Sequence, residues 1–187
     1  MSFKTISSVV DITVTLSTTA AFDRVVPIDL TSIFKGYGLL PAVISTQAQT
    51  GAWDAIGQTR TVYLSDGSYA KELLTHYQQP NYFAYVVSDF SGALGFLITS
   101  ATGEWWFDSC ADSIVGVASA VPNGRLTPTA EADPTDNCTL IRWNYIFTPK
   151  YWFAVPILWI VNKFLWFGYM RSVMSNVKLQ LDSGAIK

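Results

Sequence analysis

Charged side chains are scarce in this sequence, which has a formal net charge of −2. Only 14% of its residues are Asp, Glu, Lys or Arg, against about a quarter in typical soluble domains. The 12 basic residues are scattered along the chain. Because nucleic-acid binding relies on clustered Lys and Arg, no nucleic-acid partner is expected.

Residues that bind metals or form disulfide frameworks are equally rare. The chain has one histidine, His76, and two cysteines, Cys110 and Cys138, which are far apart in sequence. A metal site needs closely grouped ligands, so none is expected. No cofactor is expected either, because the "GYG" at 36–38 lacks the lysine and spacing of a phosphate loop. We expect the cysteines to be reduced thiols, with a single bridge between adjacent strands as the alternative.

Two segments of the sequence bear on the location of the protein in the cell. The first twenty residues alternate between polar and apolar and lack the apolar core of a secretory signal. A cytoplasmic location is therefore expected, with membrane association left open. Residues 151–170, "YWFAVPILWIVNKFLWFGYM", are long enough to span a bilayer. Asn162 and Lys163 fall at their centre, where a lysine is costly, so a packed helix is favoured over a span.

Apolar residues, by contrast, are abundant. They make up 50% of the 187 residues, with 7 Trp, 9 Tyr and 11 Phe among them. That much apolar surface must face a core, a ligand cavity, a partner or lipid. The length predicts a single domain over 1–187.

The order of periodic segments predicts an α+β fold. Residues 5–16 alternate as a strand, and 17–38 read as two short helices. Further alternating segments follow, with a tight hairpin at Asp66–Gly67. Residues 111–137 predict a loop or lid, and 151–181 a long helix. We therefore expect a curved antiparallel sheet of about seven strands that grips the C-terminal helix.

The hairpin region also resembles a known family. "GQTRTVYLSDGSYAKELLTHYQQPNYFAYVVSD", followed by "TLIRWNYIFTP" and a terminal helix, is similar to the START-like helix-grip superfamily. That superfamily includes polyketide cyclases/dehydrases and lipid-transport domains. The resemblance implies a ligand cavity between the sheet and the helix. It is carried by Gly57, Arg60, Asp66, Gly67, Glu72, Leu73, Pro80, Tyr85 and Trp143.

One face of each hairpin strand matches the cavity-facing pattern of the family. Arg60, Glu72 and His76 would then be polar groups in an apolar chamber. They would either hold the polar end of a ligand or act in acid–base chemistry. The alternative is a cross-strand Arg60–Glu72 ion pair and a solvated His76. The two faces are Arg60, Val62 and Leu64, and Ala70, Glu72, Leu74 and His76.

Aromatic residues supply the remaining predicted contacts. At 100° per residue, the terminal helix presents one apolar stripe to the sheet. The stripe comprises Val155, Trp159, Trp166, Met170, Val173 and Val177, with Asn162 and Tyr169 beside it. The predicted ligand contacts outside the hairpin are Tyr85, Trp106, Trp143, Tyr145, Trp159, Asn162, Trp166 and Tyr169.

These patterns predict binding or transport of a hydrophobic small molecule, such as a lipid, an isoprenoid or a polyketide-like compound. The alternative is a cyclase or dehydratase in which His76 or Glu72 is the base and Arg60 stabilises an enolate. A second apolar side of the helix, formed by Ile160, Phe164 and Phe167, is not needed for packing on the sheet. It predicts a contact with a membrane surface or with a second copy of the chain, and the alternative is burial under the predicted lid.

Overall fold

The computed structural model describes residues 4–111 and 137–184. Their strands form one curved antiparallel sheet that packs on a long C-terminal helix, as predicted. The predicted lid falls outside the described residues except at its two end positions. The strands are β1 (Ile6–Val14), β2 (Val43–Gln47), β3 (Thr59–Leu64), β4 (Tyr69–Gln78), β5 (Tyr82–Ser88), β6 (Ile98–Ser109) and β7 (Thr139–Pro149). They lie in the order β1-β7-β6-β5-β4-β3-β2, so the first strand pairs with the last.

Two short helices follow β1, α1 (Thr18–Val25) and α2 (Leu30–Ile33). Ser17 Oγ accepts a hydrogen bond from the third backbone N–H beyond it and so caps α1. Asp29 caps α2, and its Oδ1 accepts from the backbone N–H of Thr31. Pro27 lies between the helices, where it prevents one continuous helix. Both predicted helices are confirmed.

The predicted hairpin joins β3 and β4. Gly67 has a φ of +83°, which an L side chain rarely adopts, and this explains the glycine at the turn. The buried faces of both strands point towards the helix, and Arg60 lies directly opposite Glu72.

A β-bulge in β4 reverses the orientation of its second half. The pairing with β5 shifts between Leu74 and His76, which adds one residue to β4. Leu74 is fully buried, whereas His76 is exposed on the outer face. Tyr77 turns inward instead and packs edge-on against Phe22 of α1. The predicted inward position of His76 is therefore wrong.

The strand β6 is preceded by a third short helix, α3 (Leu94–Leu97). It is one long strand of 12 residues. Its register places Trp105 inside, where its ring stacks on that of Trp143 with centroids 5.1 Å apart. Trp106 lies on the outer face against Tyr82. The prediction that Trp106 faces the cavity is therefore wrong.

The C-terminal helix is continuous but not uniform. It consists of α4 (Ala154–Val161), a π-helical turn (Asn162–Trp166) and α5 (Phe167–Ser183). In the parts of the chain that the structure describes, no helix has the length and apolar character needed to cross a membrane.

The π-helical turn shifts the buried stripe of the helix by one residue. A π turn takes up an extra residue, so positions before it rotate relative to a uniform α-helix. Leu158 is therefore buried in place of Trp159, which is 52% exposed. After the turn, Met170 and Val177 are buried as predicted. The predicted cavity position of Trp159 is wrong for this reason.

A disulfide joins Cys110 to Cys138, so the expectation of reduced thiols is wrong. Ser109 and Thr139 pair across β6 and β7, which leaves the two cysteines opposite each other just past the strand ends. Their Cα atoms are 5.4 Å apart, within the range that a disulfide spans.

Candidate functional site: a cavity between the sheet and the C-terminal helix

A cavity of about 120 Å³ lies between the concave face of the sheet and the C-terminal helix. Its walls are almost entirely apolar. The sheet contributes Val62, Leu64, Ala70, Val87 and Phe147, and the helix contributes Trp166 and Tyr169. Leu30 and Phe34 close one side from α2 and the residue that follows it. The segments around Leu40–Pro41 and Phe90–Leu94 form the remaining wall.

Glu72 is the one ionisable carboxylate among the residues that line this cavity. Its Oε2 atom lies 2.7 Å from Nε of Arg60, and both side chains are buried. The guanidinium of Arg60 lies 4.0 Å from the ring centroid of Trp53, a cation–π contact that covers its other side. Arg60 therefore lies behind Glu72 and is not among the residues that line this cavity.

Three tyrosines are among the residues that line the cavity. Burial, reinforced by the charge of Glu72, raises the pKa of Tyr85. Burial also raises the pKa of Tyr145 well above its usual value. Burial raises the pKa of Tyr169 to about 12, and its hydroxyl donates to the carbonyl of Pro41 at 2.8 Å. All three are therefore neutral at pH 7 and can donate a hydrogen bond.

An indole N–H of the cavity wall lacks a partner. Nε1 of Trp166 is buried and has no hydrogen-bond acceptor among the described residues. Buried donors without an acceptor are rare and costly in proteins. Since Trp166 lines the cavity, an oxygen atom of a ligand is a suitable acceptor.

The position of Tyr85 depends on the residue opposite it in the sheet. Tyr85 pairs with Gly103 of β6, and a Cβ atom at Gly103 would lie 2.3 Å from Cζ of the tyrosine. Because glycine has no side chain, the phenol ring lies across the strand.

No protein-family model and no curated protein sequence matches this chain. Solved structures do match over nearly its whole length. A Nitrosospira multiformis protein is 14% identical with a TM-score of 0.56, over 97% of this chain and 100% of that one. Ginseng major latex-like protein 151 from Panax ginseng is 11% identical with a TM-score of 0.56, over 94% and 97%. Ara h 8.0201 is 12% identical with a TM-score of 0.57, over 96% and 99%.

The chain has the helix-grip fold. At these identities the likeness establishes the fold alone.

The cavity brings together seven of the predicted ligand contacts. They are Val62, Leu64, Glu72, Tyr85, Tyr145, Trp166 and Tyr169. Leu74 and Trp143 belong instead to the solid core beside the cavity. Asn162 is also occupied elsewhere: its Oδ1 accepts from Ser8 Oγ at 3.0 Å and its Nδ2 donates to the carbonyl of Ser7 at 3.2 Å. These bonds tie the π-helical turn to β1.

Several wall residues of the helix-grip cavity were not predicted. Phe34 and Leu40 come from the connection between α2 and β2, and Phe90 comes from the connection before α3. Connections have no periodicity that assigns a side chain to a face. For Leu30 of α2 the capping residue Asp29 was a usable signal, because it fixes where the helix begins.

Proposed function

We propose that this protein binds a hydrophobic small molecule that carries a neutral oxygen group, between the sheet and the C-terminal helix. The observation that carries the proposal is the apolar cavity, with an indole N–H on its wall for which residues 4–111 and 137–184 provide no acceptor. Such a cavity with a few polar groups is the usual form of a small-molecule site.

The polar groups of the wall suit a hydroxyl or carbonyl oxygen. Trp166 and Tyr145 offer N–H and O–H donors, and both are buried. The charge of Glu72 is already matched by Arg60, so a cationic ligand has no free counter-ion there. An anionic ligand is disfavoured because it would lie close to the Glu72 carboxylate.

The volume favours a ligand of modest size. An engineered protein cavity of about 150 Å³ binds benzene, and this one is about 120 Å³. The conformation described therefore suits a molecule about the size of one ring. A longer lipid, isoprenoid or polyketide-like molecule requires the connections at Leu40–Pro41 and Phe90–Leu94 to move outward.

Binding is favoured over catalysis by a cyclase or dehydratase. His76, the sequence-based candidate for a general base, is exposed on the outer face. Glu72, the other candidate, is held by Arg60, and a base must be free to accept a proton.

The first experiment identifies what binds. The protein is purified from a cell extract and any bound compound is released and identified by mass spectrometry. In parallel, benzyl alcohol and ethylbenzene, which have the same number of non-hydrogen atoms, are titrated into isotope-labelled protein and followed by NMR. Benzyl alcohol is expected to bind more tightly and to shift the signals of Ala70 and Val87. If neither compound shifts them and no compound co-purifies, the proposal is wrong.

Two variants localise the binding. Ala70→Phe fills the cavity and is expected to abolish binding, whereas Leu73→Phe adds the same ring to the outer face of β4 and is the matched control. Trp166→Phe removes the free donor. It is expected to lower the preference for benzyl alcohol by about fivefold, the effect of about 1 kcal/mol for one hydrogen bond.

A further inference from the structure

An apolar surface covers the first half of the C-terminal helix and the segment before it. Trp152 is 74% exposed and Phe164 is 65% exposed, whereas most aromatic residues of β5 to β7 are buried. Single exposed apolar residues are ordinary, but a contiguous group marks an interaction site. We refer to this group as the aromatic surface: Trp152, Phe153, Trp159, Ile160, Phe164 and Phe167.

Two other segments extend the aromatic surface. Phe96 of α3 is 76% exposed, and α3 is joined to the start of the surface because the Lys150 N–H donates to the Leu97 carbonyl at 2.8 Å. On the other side, the ring of Tyr37 lies directly against Gly168, where a Cβ atom would approach its hydroxyl to 2.6 Å. The end of α3 and the ring of Tyr37 thus lie next to the two ends of the segment that carries the aromatic surface.

The charged side chains of the segment that carries the aromatic surface are all basic. Residues 137–181 contain five basic residues and no Asp or Glu, although the chain as a whole is acidic. Lys150, Lys163 and Arg171 form none of the ion pairs found among the described residues. The ammonium of Lys163 lies over the rings of Trp159 and Phe164, at 4.9 and 5.6 Å from their centroids. The aromatic surface is therefore flanked by positive charge that has no ion-pair partner in the part of the chain that the structure describes.

We propose that the aromatic surface docks this protein on a lipid bilayer that contains anionic lipids. Trp and Tyr favour the membrane interface, and Lys or Arg beside them contact anionic headgroups. A second copy of the chain suits the surface less well. A two-fold contact centred on Lys163 would bring this residue near its own copy and place like charges together.

The test is sedimentation with vesicles of phosphatidylcholine alone and of phosphatidylcholine with phosphatidylserine. The protein is expected to bind the mixed vesicles at least about tenfold more tightly, because each lysine or arginine near an anionic surface contributes. High salt is expected to weaken this binding. The fluorescence of the protein is expected to shift to shorter wavelength as Trp152 and Trp159 leave water.

Matched variants on the same helix show whether the aromatic surface is responsible. Phe164 and Leu179 are both 65% exposed, but Leu179 lies far along α5. Phe164→Glu is expected to lower vesicle binding at least about tenfold, whereas Leu179→Glu is expected to leave it unchanged. Lys163→Glu changes an exposed charge and should also weaken binding, so the test does not depend on one variant being folded.

Three results would overturn the proposal. The first is no binding to either kind of vesicle. The second is equal weakening by Phe164→Glu and Leu179→Glu, which would reduce the effect to net charge. The third is a dimer in solution that Phe164→Glu dissociates while vesicles bind nothing, which would assign the surface to a second copy. The titration with benzyl alcohol is independent of these three results, because Lys163, Phe164 and Leu179 do not line the cavity.

Discussion

Arg60 and Glu72 face each other across β3 and β4, with 2.7 Å between Nε and Oε2 and both side chains buried. Each charge has left water, so each depends on the other for compensation. Trp53 covers the guanidinium of Arg60 from a backbone position with a φ of 64°, which is unusual for a large residue. The pair thus holds the carboxylate at the cavity wall and keeps the guanidinium away from the ligand.

Removal of Glu72 is expected to destabilise the protein strongly. Glu72→Ala leaves a buried and unpaired guanidinium, which costs about 3 kcal/mol or more of unfolding free energy. Urea denaturation measures the change. The exposed ion pair between Asp11 and Arg142 is the control: Asp11→Ala is expected to cost less than about 1 kcal/mol, because solvent screens that pair. Equal losses for the two variants would contradict the description of a buried pair.

Gly103→Ala is expected to disturb the cavity wall. The new methyl group would meet the Tyr85 ring at 2.3 Å, so the ring must move. Overpacking of this kind costs about 1–3 kcal/mol. In a Tyr85→Ala background the same change should cost much less, and unfolding curves of the two single variants and the double variant measure the difference. Additive effects would show that the two residues do not contact each other.

Alkaline pH is expected to unfold the protein through its buried tyrosines. The pKa values of Tyr145 and Tyr169 are raised above about 10, the value in an unfolded chain. The folded state therefore holds protons that the unfolded state releases. The stability that the folded protein owes to these neutral tyrosines is therefore fully present below pH ~10, and it is lost as the pH rises towards 12. Urea denaturation at successive pH values measures the slope.

A substitution distinguishes the buried hydroxyls from the exposed ones. Tyr145→Phe removes one buried ionisable group and should flatten the loss of stability between pH ~10 and 12. Tyr151→Phe removes a hydroxyl from an exposed side chain and is the control. A slope that is the same in wild type and Tyr145→Phe would contradict the assignment.

Regular alternation made the sheet predictable, and local breaks in it caused the errors. The faces of β3 and the first half of β4 followed period two, so Val62, Leu64 and Glu72 were placed correctly on the inner face. A bulge in β4 and a π-helical turn in the helix each insert one residue. Neither device has a reliable sequence signal, and each moves the residues on one side of it to another face. His76 and Trp159 were misplaced for this reason.

The disulfide between Cys110 and Cys138 is expected to contribute substantially to stability. It closes a loop with a sequence separation of 28 residues, and a loop of that length gives about 3.5 kcal/mol by restricting the unfolded chain. Urea denaturation with and without reductant measures this, and a Cys110→Ser/Cys138→Ser double variant should be insensitive to reductant. Two titratable thiols in the unreduced protein would show that the bridge is absent. A bridge in protein isolated from its own cells would argue against the cytoplasmic location expected from the sequence, because the cytosol keeps most thiols reduced.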